Sequence, residues 1–393
     1  MKNIVLIIVL TINALQFKED SCNSNKYNKI PSAESSCNPK NEETKVLDVF
    51  GSDCTDLTFE SIDLVSLETL HNVLIGEFNQ LLVNFDKENI YISNVVQGET
   101  FRFNKKGKFI NKIGKLGGGP KEISSFDDIC FHGDTVDILN NMGDKVRVIG
   151  YKNDDTFLYS KSINLIAYSF EWMSPGYIFE TSYRKGYPYR IYMTDVNGKI
   201  TGTFLPNTTG FAMGQIENNF SRLGSKVYCK ESYNNKVYIA EKSNLFPTYN
   251  IDLGSFAVPD EYFKSKPVQA FQLLLGHAFA SIVNYFETPS DALFHIRQKP
   301  KSKSPNEDLI DYIFVLDKGT NKLMKRSFQM QSEDLFKYPV SGTLNNELIF
   351  LIYPYMIFND QQTFNRLPIN NPEIISRLKV DDNPVLAICK IKG

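Results

Sequence analysis

The sequence predicts an all-β chain: a six-bladed β-propeller of four-stranded antiparallel blades, with an N-terminal strand closing the last blade. Three observations carry the prediction. Runs of four or five β-branched and aromatic residues with partial alternation recur from residue 57 to the end, the pattern of short antiparallel strands. Turn sequences echo one another about every 45 residues, and residues 85–393 less one insertion hold about six such periods. A lone four-stranded sheet cannot cover both its faces, and radial stacking supplies the missing ones.

Composition agrees with a large folded core. The chain has 393 residues, 42% hydrophobic and 22% charged, with 43 basic against 45 acidic side chains. That mixture excludes a disordered or collagen-like chain. Near-zero net charge also argues against a protein built to neutralise nucleic-acid phosphates, so no nucleic-acid partner is expected.

The elements follow in order. Met1-Lys2-Asn3 precedes the apolar run Ile4 to Ile12, which has the length of a signal-peptide core and is too short to span a bilayer. Residues 1–17 read as a signal peptide, with cleavage as late as residue 21. Ser21-Cys22-Asn23 resembles the lipid-modified cysteine of bacterial lipoproteins, yet Phe17-Lys18-Glu19-Asp20 puts charge where such a site is apolar. Lipidation of Cys22 and cleavage near Ala14 to a free periplasmic protein both stay open. Residues 18–56 are polar and read as a flexible tether. The other cysteines (Cys37, Cys54, Cys130, Cys229, Cys389) show no C-x-x-C spacing, which argues against zinc. Cys130 and Cys389 lie in strand-like runs and read as buried thiols.

From residue 57 the propeller begins. Leu57 to Leu64 is the closing strand. The strands Asn89–Ser93, Thr100–Phe103, Thr135–Leu139, Lys145–Ile149, Tyr177–Glu180, Arg190–Met193, Lys226–Cys229 and Lys236–Ile239 follow. Turns at Asn104 to Lys108, Tyr151 to Asp154, Asp195 to Lys199 and Glu241 to Asn244 keep the period, and Asp317-Lys318-Gly319 repeats it late. Two stretches break it. Val258-Pro259-Asp260-Glu261 starts a helix that can run on to Leu275. Ile357 to Lys379 is loop-like with a short helix from Pro372, and such insertions belong on a functional rim.

The segment Phe109-Ile110-Asn111-Lys112-Ile113-Gly114 with Gly117-Gly118-Gly119-Pro120-Lys121-Glu122 resembles one found in six-bladed propeller proteins of Bacteroidetes cell envelopes, related to NHL-type and TolB-like propellers. Asp381-Asp382-Asn383-Pro384 and Ile62 to Glu68 resemble that family's ending and opening. The resemblance implies an exported, often lipid-anchored propeller and supplies no catalytic residues.

Chemistry is harder to place. Gly114 to Gly119 lacks the following helix of a phosphate cradle and reads as an inter-blade turn. Some six-bladed rings house metal-assisted lyases or lactone hydrolases with carboxylates around the tunnel; candidates here are Asp127, Asp128, His132, His277 and His295. With 4 His in the chain, no cofactor is expected, although an all-oxygen calcium site stays open. No Gly-x-Ser-x-Gly elbow is present. Tyr183, Arg184, Tyr187 and Tyr189, with Tyr353 and Tyr355, are residue types that anchor partners or stack on sugars. The favoured expectation is a cell-envelope binding or scaffolding module that takes a protein or glycan on the rim bearing the insertions. Membrane contact would come only through a lipid on Cys22. Metal-assisted catalysis is the alternative.

Overall fold

A computed structural model describes residues 44–76, 81–184, 186–208, 218–231, 233–301 and 309–392. The signal peptide, Cys22, Cys37 and most of the tether lie outside the described residues.

The chain opens with β1 (Lys45–Asp48), β2 (Thr55–Asp56) and β3 (Phe59–Ser66), then builds six sheets. Blade one is β4 (Leu81–Phe85), β5 (Asn89–Asn94), β6 (Glu99–Asn104) and β7 (Phe109–Ile113). Blade two is β8 (Asp128–His132), β9 (Thr135–Asn141), β10 (Val146–Lys152) and β11 (Phe157–Ile163). Blade three is β12 (Ser169–Met173), β13 (Gly176–Glu180), β14 (Tyr189–Asp195) and β15 (Ile200–Pro206). Blade four is β16 (Phe220–Leu223), β17 (Lys226–Lys230), β18 (Lys236–Glu241) and β19 (Asn244–Asp252). Helices α1 (Asp260–Lys264) and α2 (Pro267–Gly276) intervene, the second started by Pro267 rather than continuing the first. Blade five is β20 (Phe279–Glu287), β21 (Asp291–Lys299), β22 (Ile310–Asp317) and β23 (Leu323–Gln329). Blade six is β24 (Tyr338–Gly342), β25 (Glu347–Ile352) and, after α3 (Pro354–Asn359), α4 (Gln361–Phe364) and a 3-10 turn (Pro372–Arg377), β26 (Val385–Ile391). The stretch read as loop-like from Ile357 thus carries helical turns.

Its fourth strand is β3, antiparallel to β26 with Leu64 opposite Ala387 and Ile62 opposite Cys389. The N-terminal strand therefore closes the ring. First strands meet around the axis, β8 with β12, then β16, β20, β24 and β4. Apolar clusters fill the spaces between blades: Ile129 and Ile149 facing blade one, Phe170 and Phe179 facing blade two, and Phe294 and Phe314 facing blade four. A fully buried Phe contributes about 2–3 kcal/mol.

The echoing turns all occupy one place, between the third and fourth strands of blades one to five. Each contains a left-handed residue: Gly107, Asp155, Gly198, Lys242 and Asn321. Asn104 Oδ1 accepts from the Lys106 and Lys108 amides, and Asp195 Oδ1 repeats the bonds to Asn197 and Lys199. These are Asx turns, which explains the recurring Asn or Asp.

One boundary differs from the sequence reading. Residues 45–56, assigned there to the tether, form a strap. β1 pairs in parallel with β19 and β2 with β23, giving blades four and five a fifth, parallel strand. Leu47 and Val49 are buried, and the Phe50 ring meets Phe256 edge-on at 5.1 Å.

Candidate functional site

Propeller connectivity sorts the loops between two ends. In each blade the turns between strands one and two, and three and four, lie at one end. Loops between strands two and three, and the links between blades, lie at the other. Helices α1 and α2 link blades four and five, and residues 353–384 join β25 to β26, so both insertions share this second end, the insertion end. Among the described residues, eight of the twelve exposed large hydrophobics lie in its loops: Leu70, Leu74, Val96, Leu116, Met142, Val268, Phe358 and Val380.

The aromatic clusters do not converge. Tyr183, Arg184 and Tyr187 belong to the loop between β13 and β14 of blade three and Tyr189 opens β14, whereas Tyr353 and Tyr355 belong to blade six, across the ring. Tyr183 is buried, 5.3 Å from Phe263 of α1 and 4.8 Å beneath the Arg190 guanidinium. Burial, with the Glu231 carboxylate nearby, pushes its hydroxyl well up. Arg190 grips Glu231 with two bonds of 2.7 and 3.0 Å. Tyr187 is also buried and its oxygen accepts from the Ile166 amide at 2.9 Å. Arg184 donates to Tyr168 at 2.8 Å, and Tyr189 is half-buried. Buried Tyr353 donates to Gly76 O at 3.3 Å and stacks on half-buried Tyr355. Tyr183, Tyr187 and Tyr353 thus pack the fold, as propeller strands require.

The acid and histidine candidates are likewise scattered. Asp127 accepts from Ser125 and from the Asn141 amide. Buried Asp128 accepts from the Ile129 and Phe170 amides, and burial pushes its carboxyl well up. His277 is exposed after α2. His295 lies in blade five, 3.4 Å from Asp311, which Arg297 holds at 2.7 Å. Among the described residues, no group of three or more His, Cys, Asp or Glu could hold a metal.

His132 is different, because it enters a network that crosses blades. Its Nε2 lies 2.8 Å from Asp137 Oδ2, and its ring stacks on Trp172 at 4.1 Å. Asp137, wholly buried, also accepts from Tyr159 and Tyr177, each at 2.7 Å. Arg222 of blade four reaches Phe131 O of blade two at 2.9 Å and Glu171 of blade three at 2.7 Å, and also bonds Trp172 O. These contacts stitch three blades together, although Arg222 Nε is buried without a hydrogen-bond partner. The sequence held one signal of this: His132 is the last and Trp172 the next-to-last residue of the first strands of successive blades, 40 residues apart.

The glycine-rich run links blades one and two, and the Glu122 carboxylate accepts the Gly119 amide at 2.9 Å. A carboxylate therefore already takes a donor that a phosphate would need.

One groove of about 700 Å³ opens where the ring closes. Its walls are the end of β3, the 371–382 part of the second insertion and the turn at Lys105 and Lys106. Successive strands rotate by about 20–25°, so the outermost strand of blade six leans onto that turn of blade one. The Glu68 amide donates to Gly107 O at 2.8 Å. Gly107 has φ +78°, and a Cβ there would lie 1.9 Å from Ser66 O. Only glycine fits this seam.

Residues 46–390 match the protein family described as "Domain of unknown function (DUF4934)". Similar solved structures include a Bacteroides fragilis protein described as exported, at 17% identity and TM-score 0.70, covering 89% of this chain and 99% of that one. A DUF4221 family member from Bacteroides vulgatus has 11% identity and TM-score 0.52, covering 86% of this chain and 98% of its own. At such identities the likeness shows the fold. No curated protein matches the chain. No helix among the described residues is long and apolar enough to cross a membrane.

Proposed function

The chain belongs to the DUF4934 family, and on that footing we propose that it is an exported binding or scaffolding module of the cell envelope, docking a protein partner on its insertion end. The observation that carries this reading is the gathering of both insertions and most of the exposed large hydrophobics at one end of the ring. Contiguous exposed apolar surface marks interaction sites, and the reading requires these side chains, which lie in separate loops of one end, to join into such a surface. The network of His132, Asp137, Glu171 and Arg222 supports it too, because His132 bonds Asp137 and the terminal nitrogens of Arg222 bond Glu171 and two backbone carbonyls across blades. The apolar run Ile4 to Ile12 supports export, and Cys22 is the proposed anchor.

Photo-crosslinking in intact cells tests the reading. A crosslinker replacing Val268 or Phe358 should give a discrete adduct, while one replacing Leu344, in a turn at the opposite end, should give none. Adducts from Leu344 alone would overturn the assignment. Palmitate labelling of the same cells reports the anchor, and label that survives Cys22→Ala would remove Cys22 from it.

A further inference from the structure

We propose that the groove at the ring seam binds an extended acidic peptide segment carrying aliphatic side chains. The groove reaches from the second insertion, on the proposed docking face, to the turn at Lys105 and Lys106, which belongs to the opposite end. The proposal rests on that docking reading and names the chemistry of an occupant that extends from the face down the seam. Four cations line the groove: Lys105 and Lys106 from blade one, and Arg377 and Lys379 from the second insertion. All four are exposed, and among the described residues none makes an ion pair. The lining also carries two carboxylates, Glu68 and Asp382, so four cations face two anions, and both carboxylates are held by backbone amides. Glu68 Oε2 accepts the Phe109 amide at 2.9 Å, and Asp382 Oδ2 accepts the Lys379 amide at 2.8 Å. The groove therefore holds excess positive charge on a chain whose net charge is −2.

The floor decides between anionic ligands. Its apolar lining is Leu64, Val65, Leu67, Ile374 and Leu378, and among the described residues no aromatic side chain lines the groove. Aliphatic walls gain from burying aliphatic side chains, whereas sugar rings find no flat aromatic face here. The volume lies within the range of about 300–1,000 Å³ usual for ligand sites. Cations on both rims with an apolar floor between them match a strand whose acids point outward and whose aliphatics point in, since successive side chains of an extended peptide alternate.

Fluorescence anisotropy of a labelled peptide of alternating Glu and Leu, titrated with the full chain, tests this. Saturable binding is expected, weakened about tenfold by K105E/K106E and similarly by R377E/K379E, because paired reversals replace attraction by repulsion. Raising salt from about 50 to about 300 mM should weaken it further by screening. The substituted residues are exposed, so thermal melts of the variants should match the wild type; where a reversal fails to fold, K105Q/K106Q replaces it. Equal binding of a Gln/Leu peptide, tighter binding of an oligogalacturonate, or no saturable binding would each overturn the proposal. Such a result with crosslinks from Val268 or Phe358 intact would sink the acidic-peptide assignment alone; loss of those crosslinks as well would sink the docking face.

Discussion

Asp137 is an unremarkable strand residue in the sequence, between Val136 and Ile138. In the fold its carboxylate accepts from Tyr159, Tyr177 and His132 with no exposure to water. Buried acceptors of this kind matter through what their loss leaves behind: donors with no partner. Asp137→Asn keeps the volume but turns one acceptor into a donor facing hydroxyls and an imidazole. It should lower stability by about 2–4 kcal/mol, whereas Tyr177→Phe, which removes a single donor, should cost about 1 kcal/mol. Urea denaturation midpoints check both, and an Asp137→Asn protein as stable as the wild type would show that the network is not a stitch. Nothing local in the sequence announces this residue. Its partners come from positions 132, 159 and 177, and only superposing one blade on the next would have brought them together.

At the scale of elements, legibility followed burial. The strands read from sequence, such as Asn89–Ser93, Thr135–Leu139 and Tyr177–Glu180, are second and third strands, covered on both faces; β5 and β13 are buried throughout. The outer strand β11 alternates half-buried and exposed residues through Phe157-Leu158-Tyr159-Ser160-Lys161-Ser162, and its mixture of Ser and Lys hid it. The strap was hidden by its neighbours. Val46-Leu47-Asp48-Val49-Phe50 has an apolar pattern, but it sits in polar surroundings and has no counterpart one period on. Its contribution can be measured by starting the chain at residue 57 rather than residue 44. Losing the burial of Leu47 and Val49 should lower stability by about 3 kcal/mol or more. It would also bare the outer edges of β19 and β23, so concentration-dependent aggregation is expected from the shorter chain. Equal denaturation midpoints and equal light scattering for the two chains would reduce the strap to decoration.

For the whole molecule the decisive contact is the one most distant in sequence. Strand β3 completes blade six, and every blade then has a neighbour on each face. Leu57 to Leu64 was readable as a closing strand because a ring of incomplete blades needs one, an argument from architecture. The charged seam beside it was not, since Lys105 and Arg377 meet only through the tilt of outer strands. Closure also has a chemical test. Ile62 and Cys389 are directly opposite on β3 and β26, both buried, and Cys389 is a free thiol. Opposed residues in antiparallel strands stand about 4.5–5.5 Å apart between Cα atoms, within disulfide reach. Reduced, Ile62→Cys should cost about 1–3 kcal/mol for the lost side-chain volume. Oxidised, the bond would tie the two ends of the ring through a loop of more than 300 residues, and constraining so long a loop should return about 4–5 kcal/mol if the geometry is unstrained. The oxidised form should therefore melt above the reduced form of the same variant, with all six blades unfolding together. A link that forms readily but leaves the melting curve unchanged would mean that opening the seam is not what limits unfolding, and that stability resides in the individual blade interfaces instead.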